Sequence, residues 1–70
     1  MQYAIVIEKA PGSIFSAYVP DLAGCVAAAD SLEEVKRLMK EGIAFHVEGM
    51  REDGLPIPEP TTQVAYADVA

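Results

Sequence analysis

Ser31-Leu32-Glu33-Glu34-Val35-Lys36-Arg37-Leu38-Met39-Lys40-Glu41-Gly42-Ile43-Ala44-Phe45-His46-Val47-Glu48-Gly49-Met50-Arg51-Glu52-Asp53-Gly54 is the stretch on which the fold turns. It opens with a capping box: the Ser31 hydroxyl is placed to accept from the Glu34 amide, and the Glu34 carboxylate to reach back to the Ser31 amide. Asp30, Glu33 and Glu34 suit the positive end of a helix dipole. Val35, Met39, Ile43 and Met50, with Gly42 and His46 among them, then fall on one stripe at helical spacing. Glu33, Arg37, Lys40, Glu41, Glu48 and Arg51 lie opposite, where Glu33–Arg37 and Glu48–Arg51 have the spacing of helical ion pairs. The helix is expected to stop near Asp53, with Gly54 as the left-handed residue after its end and Pro56 beyond. One long amphipathic helix in so short a chain needs a sheet to lie on.

Upstream residues supply that sheet. Tyr3–Lys9 reads as a strand because Ile5, Val6 and Ile7 are β-branched. Ala10-Pro11-Gly12-Ser13 is turn chemistry, and Ile14–Val19 completes a hairpin. Pro20–Gly24 breaks the second strand, and the alanine-rich run Cys25–Ala29 makes a short third one. After the helix, Pro56, Pro58 and Pro60 hold an extended segment, and Thr61–Val69 reads as a last strand with Val64, Tyr66 and Val69 as its larger apolar residues. The expectation is one α+β domain over residues 1–70, β-β-β-α-β, with a small, mainly antiparallel sheet and the helix packed on one face.

Seventy residues sit near the lower size limit for independent folding, where apolar burial and lost chain entropy nearly cancel. Disulfides, metals or oligomerisation usually make up the difference. Cys25 is the one cysteine, and Cys25 with His46 falls short of a four-ligand zinc site. Oligomerisation remains. Both faces of Ile14–Val19 are partly apolar, as expected if one is covered by the helix and the other by a second subunit. Leu38 and Phe45 widen the helix stripe, and Gly42, which costs about 1 kcal/mol in mid-helix relative to alanine, suggests a close backbone approach. Ile14, Tyr18, Leu38, Gly42 and Phe45 are therefore the candidate contacts of a homodimer or larger homo-oligomer.

The net charge is −6, from eleven acidic and five basic residues. Such a surface repels phosphate backbones, so direct nucleic-acid binding is not expected, whereas a basic protein partner would be attracted. Asp21, Asp30, Glu33, Glu52, Asp53 and Glu59 are the acidic residues proposed to face it. No apolar run is long enough to cross a membrane, and Met1–Gly12 lacks the basic start of a signal peptide, which makes the cytoplasm the expected location.

Catalytic readings are weaker than structural ones at each residue that could support them. Cys25 has no flanking cation to lower its pKa and reads as a small buried residue. His46 sits on the apolar stripe without a nucleophile at a recognisable spacing. Asp21, Asp30 and Glu8 could be drawn as a magnesium cluster for a nuclease or hydrolase relic, but nothing in their spacing brings them together. Neither an enzymatic activity nor a cofactor is expected.

Three ordered segments resemble one family. Phe15-Ser16-Ala17-Tyr18-Val19-Pro20-Asp21-Leu22-Ala23-Gly24-Cys25 is similar to the strand and P-D-L-P-G-C loop of HicB-type antitoxins, with Ala23 in place of the proline. Asp30-Ser31-Leu32-Glu33-Glu34 resembles that family's helix start, and the run from His46 to Pro60 resembles its helix end and proline-rich exit. The resemblance spans essentially the whole chain. It implies a partial ribonuclease-H-like fold without the nuclease carboxylates. It also implies an antitoxin that binds HicA, a small basic RNA-cleaving toxin, and occludes its RNA-cleaving surface. No DNA-binding pattern follows Pro60, so this is expected to be a short form without the C-terminal repressor module many members carry. The alternative within the family is an orphan oligomeric module with no toxin.

Overall fold

The structure, a computed structural model, describes residues 1–70. Strands β1 (Val6–Ala10), β2 (Ile14–Tyr18) and β3 (Val26–Ala29) precede one helix, α1 (Leu32–Glu52). The strands form an antiparallel sheet in the order β1-β2-β3. Ala10 pairs with Ile14, closing the hairpin over Pro11, Gly12 and Ser13. Gly12 and Ser13 both take positive φ, 91° and 70°, and so turn the chain within three residues. β1 starts three residues later than the sequence suggests. Tyr3, Ala4 and Ile5 are half-buried without ladder pairing, and Tyr3 and Ile5 pack against the core.

Strand alternation sorts the sheet into two faces. Ile7, Ala17 and Ala27 form one cross-strand row of the inner face, and Lys9, Phe15 and Ala29 the next. Three alanines on this face leave room for α1 to lie close. Val35 and Met39 of the helix are fully buried there, together with Leu22 from the β2–β3 loop. Ala17, Val19, Cys25 and Val47 complete a core of seven buried residues. That loop is tightly closed: the Val19 amide donates to the Cys25 carbonyl at 3.2 Å and the Leu22 amide to the Val19 carbonyl at 3.1 Å.

Both ends of α1 follow from their sequence. Ser31 is extended, and its hydroxyl accepts from the Glu34 amide at 3.1 Å. The reciprocal half of the capping box does not form, because the Glu34 carboxylate pairs with Arg37. Arg37 also reaches Glu41 at 3.0 Å, so it bridges residues three before and four after it. Neither expected pair, Glu33–Arg37 nor Glu48–Arg51, forms; the guanidinium is drawn to the two carboxylates it can fork between. At the other end the Leu55 amide donates to the Met50 carbonyl and the Gly54 amide to that of Arg51, with Gly54 at φ 69°. This is the Schellman closure that Gly54 predicts.

Three expectations are corrected. Gly42 is half-buried, but a Cβ placed on it would meet nothing within 4 Å, so it marks no close approach within this chain. Val47, left out of the expected stripe, is buried because the amino-terminal segment around Met1 and Tyr3 covers that flank of the helix. The last strand, Thr61–Val69, does not form: the chain after Gly54 has no regular secondary structure, and Gln63–Ala70 is exposed throughout. Val64 and Tyr66 share one parity and Val69 has the other, so the segment offers no single apolar face to bury.

Candidate protein-binding surface

On the sheet's outer face, the side away from α1, Val6, Tyr18 and Val26 form one cross-strand row, followed by Glu8, Ser16 and Ala28, then Ala10 and Ile14. No part of the chain covers it. Val26 is 70% exposed, Ile14 46% and Tyr18 42%. In β2 and β3 the side chains alternate cleanly between this face and the core. The apolar patch therefore follows directly from strand register. Glu8 lies within it, and the exposed Asp30 follows β3. An apolar centre with acidic groups at its margin is the composition of a protein-binding surface.

The sequence-derived candidates divide between two layers. Ile14 and Tyr18 are on the outer sheet face. Leu38, Gly42 and Phe45 flank the buried stripe of α1, where Leu38 and Gly42 are half-buried and Phe45 is 83% exposed. Val26 escaped the sequence reading, because an alanine-rich strand gives little propensity signal; its register opposite Tyr18 is what reveals it.

The six acidic candidates do not form one patch. Asp30 and Glu33 lie at the start of α1, and Glu52 and Asp53 at its far end, roughly 30 Å away for a helix of 21 residues. Glu59 is exposed in the carboxy-terminal segment. Asp21 has a different surrounding. Its carboxylate accepts from the Thr62 amide at 3.1 Å, the Thr62 hydroxyl at 2.9 Å and the Thr61 hydroxyl at 3.1 Å. With the Tyr3 hydroxyl, which donates to the Pro58 carbonyl at 2.6 Å, it ties the segment after the helix back to the sheet.

The Thr62 amide, followed by the two threonine hydroxyls, holds the Asp21 carboxyl below its ordinary value of 3.8. A carboxyl that titrates lower when folded contributes stability above the ordinary value and loses it as the pH falls through the folded one. The anchor is therefore expected to be intact at neutral pH and to loosen in acid below about 3.8. Asp21→Ala should do the same at neutral pH. Hydrogen exchange at the Thr62 amide should speed up, while that of Ala17 and Val35 stays slow; unchanged protection at Thr62 would contradict the anchor.

Groups that could do chemistry are kept apart. Burial pushes the Cys25 thiol up, away from the thiolate a nucleophile needs. No three His, Cys, Asp or Glu side chains meet in an arrangement that could hold a metal ion. An open groove of about 630 Å³ runs between Met1–Ile5 and α1, lined by Lys40 and Ile43 with Thr62 at its edge. It contains no paired acid and base.

Comparison with known proteins gives this arrangement a family. The family described as HicB-like antitoxin of bacterial toxin–antitoxin system matches residues 3–69. The chain belongs to the HicB-like antitoxin family. An uncharacterized 14.9 kDa protein of Haemophilus phage HP1 is 47% identical over 60 residues, covering 84% of this chain and 44% of the phage protein. The chain thus spans less than half the length of that relative. A UPF0150 protein of Archaeoglobus fulgidus is 41% identical over 56 residues, 77% of this chain and 81% of that protein. Among solved structures, a chain of the HicA3 and HicB3 toxin-antitoxin complex superposes with a TM-score of 0.71 at 31% identity, over 87% of this chain and 70% of that one. The three-stranded sheet and long helix are thus the architecture of a HicB-like domain. No helix is long and apolar enough to cross a membrane.

Proposed function

We infer that this HicB-like chain is an antitoxin that binds a small, basic, RNA-cleaving toxin of the HicA type and neutralises it by covering its RNA-binding surface. The observation that carries this reading is the likeness, in sequence and in fold, to a chain of a toxin-antitoxin complex. Net charge supports it, because −6 on seventy residues attracts a protein built to hold RNA phosphates. The outer sheet face supplies the contact: Tyr18, Ile14 and Val26 offer apolar anchors, and Glu8 and Asp30 sit where a basic rim would meet them. Binding by this face requires no catalytic group.

The test is affinity for a HicA-type toxin, measured at two salt concentrations. A complex steered by opposite charges should weaken about tenfold or more between 50 and 500 mM salt, mainly through a slower association rate. A failure to bind at 50 mM salt would remove the antitoxin reading and leave the orphan module.

A further inference from the structure

Strand register gives the outer sheet face a relief as well as a composition. Val6, Tyr18 and Val26 make one row of large side chains. The next row, Glu8, Ser16 and Ala28, drops to a serine on β2 and an alanine on β3. Beyond it Ile14 rises again on β2. The two small residues therefore floor a trough across the sheet. Tyr18 and Val26 wall it on one side and Ile14 on the other, and Glu8 closes it at β1. Glu8, Ser16 and Ala28 are all exposed.

Glu8 is the one charged side chain among the paired strand residues of this face. The cations of the chain are all elsewhere. Lys9 points to the other face, 5.8 Å from the centre of the Phe15 ring. Lys36, Arg37, Lys40 and Arg51 lie on α1, behind the sheet, and the ion pairs of the chain all belong to Arg37. In water an unpaired carboxylate costs nothing. Under a docked protein it loses its hydration, and a buried charge without a counter-charge is strongly unfavourable. A partner that covers this face has to bring a cation to that point.

The surroundings select which cation. Tyr18 is the diagonal neighbour of Glu8 across the β1–β2 pair, a spacing of about 7–8 Å that long side chains bridge. A planar guanidinium forks onto the carboxylate while its face stacks on the phenol ring; an ammonium offers only a point charge. The Ser16 hydroxyl, directly across from Glu8, can accept a further N–H. We propose that Glu8, Ser16 and Tyr18 form a socket for a single arginine of the toxin, laid along the trough. The inference rests on the antitoxin reading and narrows it. Net charge attracts any basic protein, but only one with an arginine at this point covers the face without burying Glu8 unpaired.

Affinity for a HicA-type toxin, measured across charge variants, tests the socket. Glu8→Gln should weaken the complex about 30-fold or more, because the arginine of the toxin is left buried without its counter-charge. Glu48→Gln removes the same charge from an exposed position on α1 and should change affinity by less than about threefold. Glu8→Arg should weaken binding further. Changing the arginines of the toxin to glutamate one at a time should then recover about tenfold or more at one position and at no other. The Glu8 variants should keep the wild-type helix signal, since the side chain is exposed. Binding by Glu8→Gln no weaker than by Glu48→Gln would overturn the proposal, as would a charge swap that no toxin arginine restores. A wild-type chain that binds no toxin removes the antitoxin reading and the socket with it, whereas a complex indifferent to Glu8 removes the socket alone.

Discussion

Leu22→Ala is expected to remove about half of the chain's stability. The side chain is 1% exposed and, with Val35 and Met39, is one of three large residues fully buried in a core of seven. Truncating such a leucine costs about 3–5 kcal/mol, while a seventy-residue domain has only about 4–10 kcal/mol of stability in all. The site cannot easily collapse around the loss, because hydrogen bonds between Val19, Leu22 and Cys25 fix the loop that carries it. Urea denaturation followed by helix signal should show the midpoint falling by about half. Phe45→Ala provides the contrast: the side chain is larger but 83% exposed, so the change should stay within about 0.5 kcal/mol. A Leu22→Ala chain as stable as wild type would mean that the loop is not part of the core.

The second large effect is expected on binding and not on folding. Tyr18→Ala/Val26→Asp should weaken the complex with a HicA-type toxin about 100-fold or more, since each change removes an anchor at the centre of the proposed contact. The two residues stand directly opposite one another on the outer sheet face, and Val26 is 70% exposed. Their replacement should therefore alter stability by no more than about 1 kcal/mol. Calorimetric titration beside thermal melting separates the two quantities. If affinity is unchanged while the fold is intact, the toxin sits elsewhere, and the flank of α1 at Leu38, Gly42 and Phe45 becomes the surface to examine.

Local signals made the helix legible. Ser31 marks the start by a hydroxyl that caps the Glu34 amide and Gly54 the end by its positive φ, and both act as their chemistry predicts. The hairpin was legible for the same reason, through Pro11 and Gly12. Rotational detail was lost at the stripe's edge: Val47, four residues after Ile43, is buried at the flank that Met1 and Tyr3 adjoin, and Arg37 pairs with Glu34 and Glu41 and not with Glu33. The last strand failed on tertiary grounds, since β propensity describes fit to a half-buried surface and the tail has none within its own chain. On the outer sheet face now proposed to bind toxin, Ile14 and Tyr18 were legible as apolar residues from their alternation in β2, though as contacts of an oligomer. Val26 became visible only once register set it across from Tyr18. Asp21 looked like a free acid in the sequence, and only the fold places Thr61 and Thr62 against it.

An antitoxin of this kind must silence its toxin. RNA cleavage by a HicA-type toxin, followed while the chain is titrated in, should fall to background at a fixed molar ratio of the two proteins. The Tyr18→Ala/Val26→Asp variant should need far more protein for the same effect. Cleavage that continues unchanged in the presence of excess wild-type chain would contradict the account.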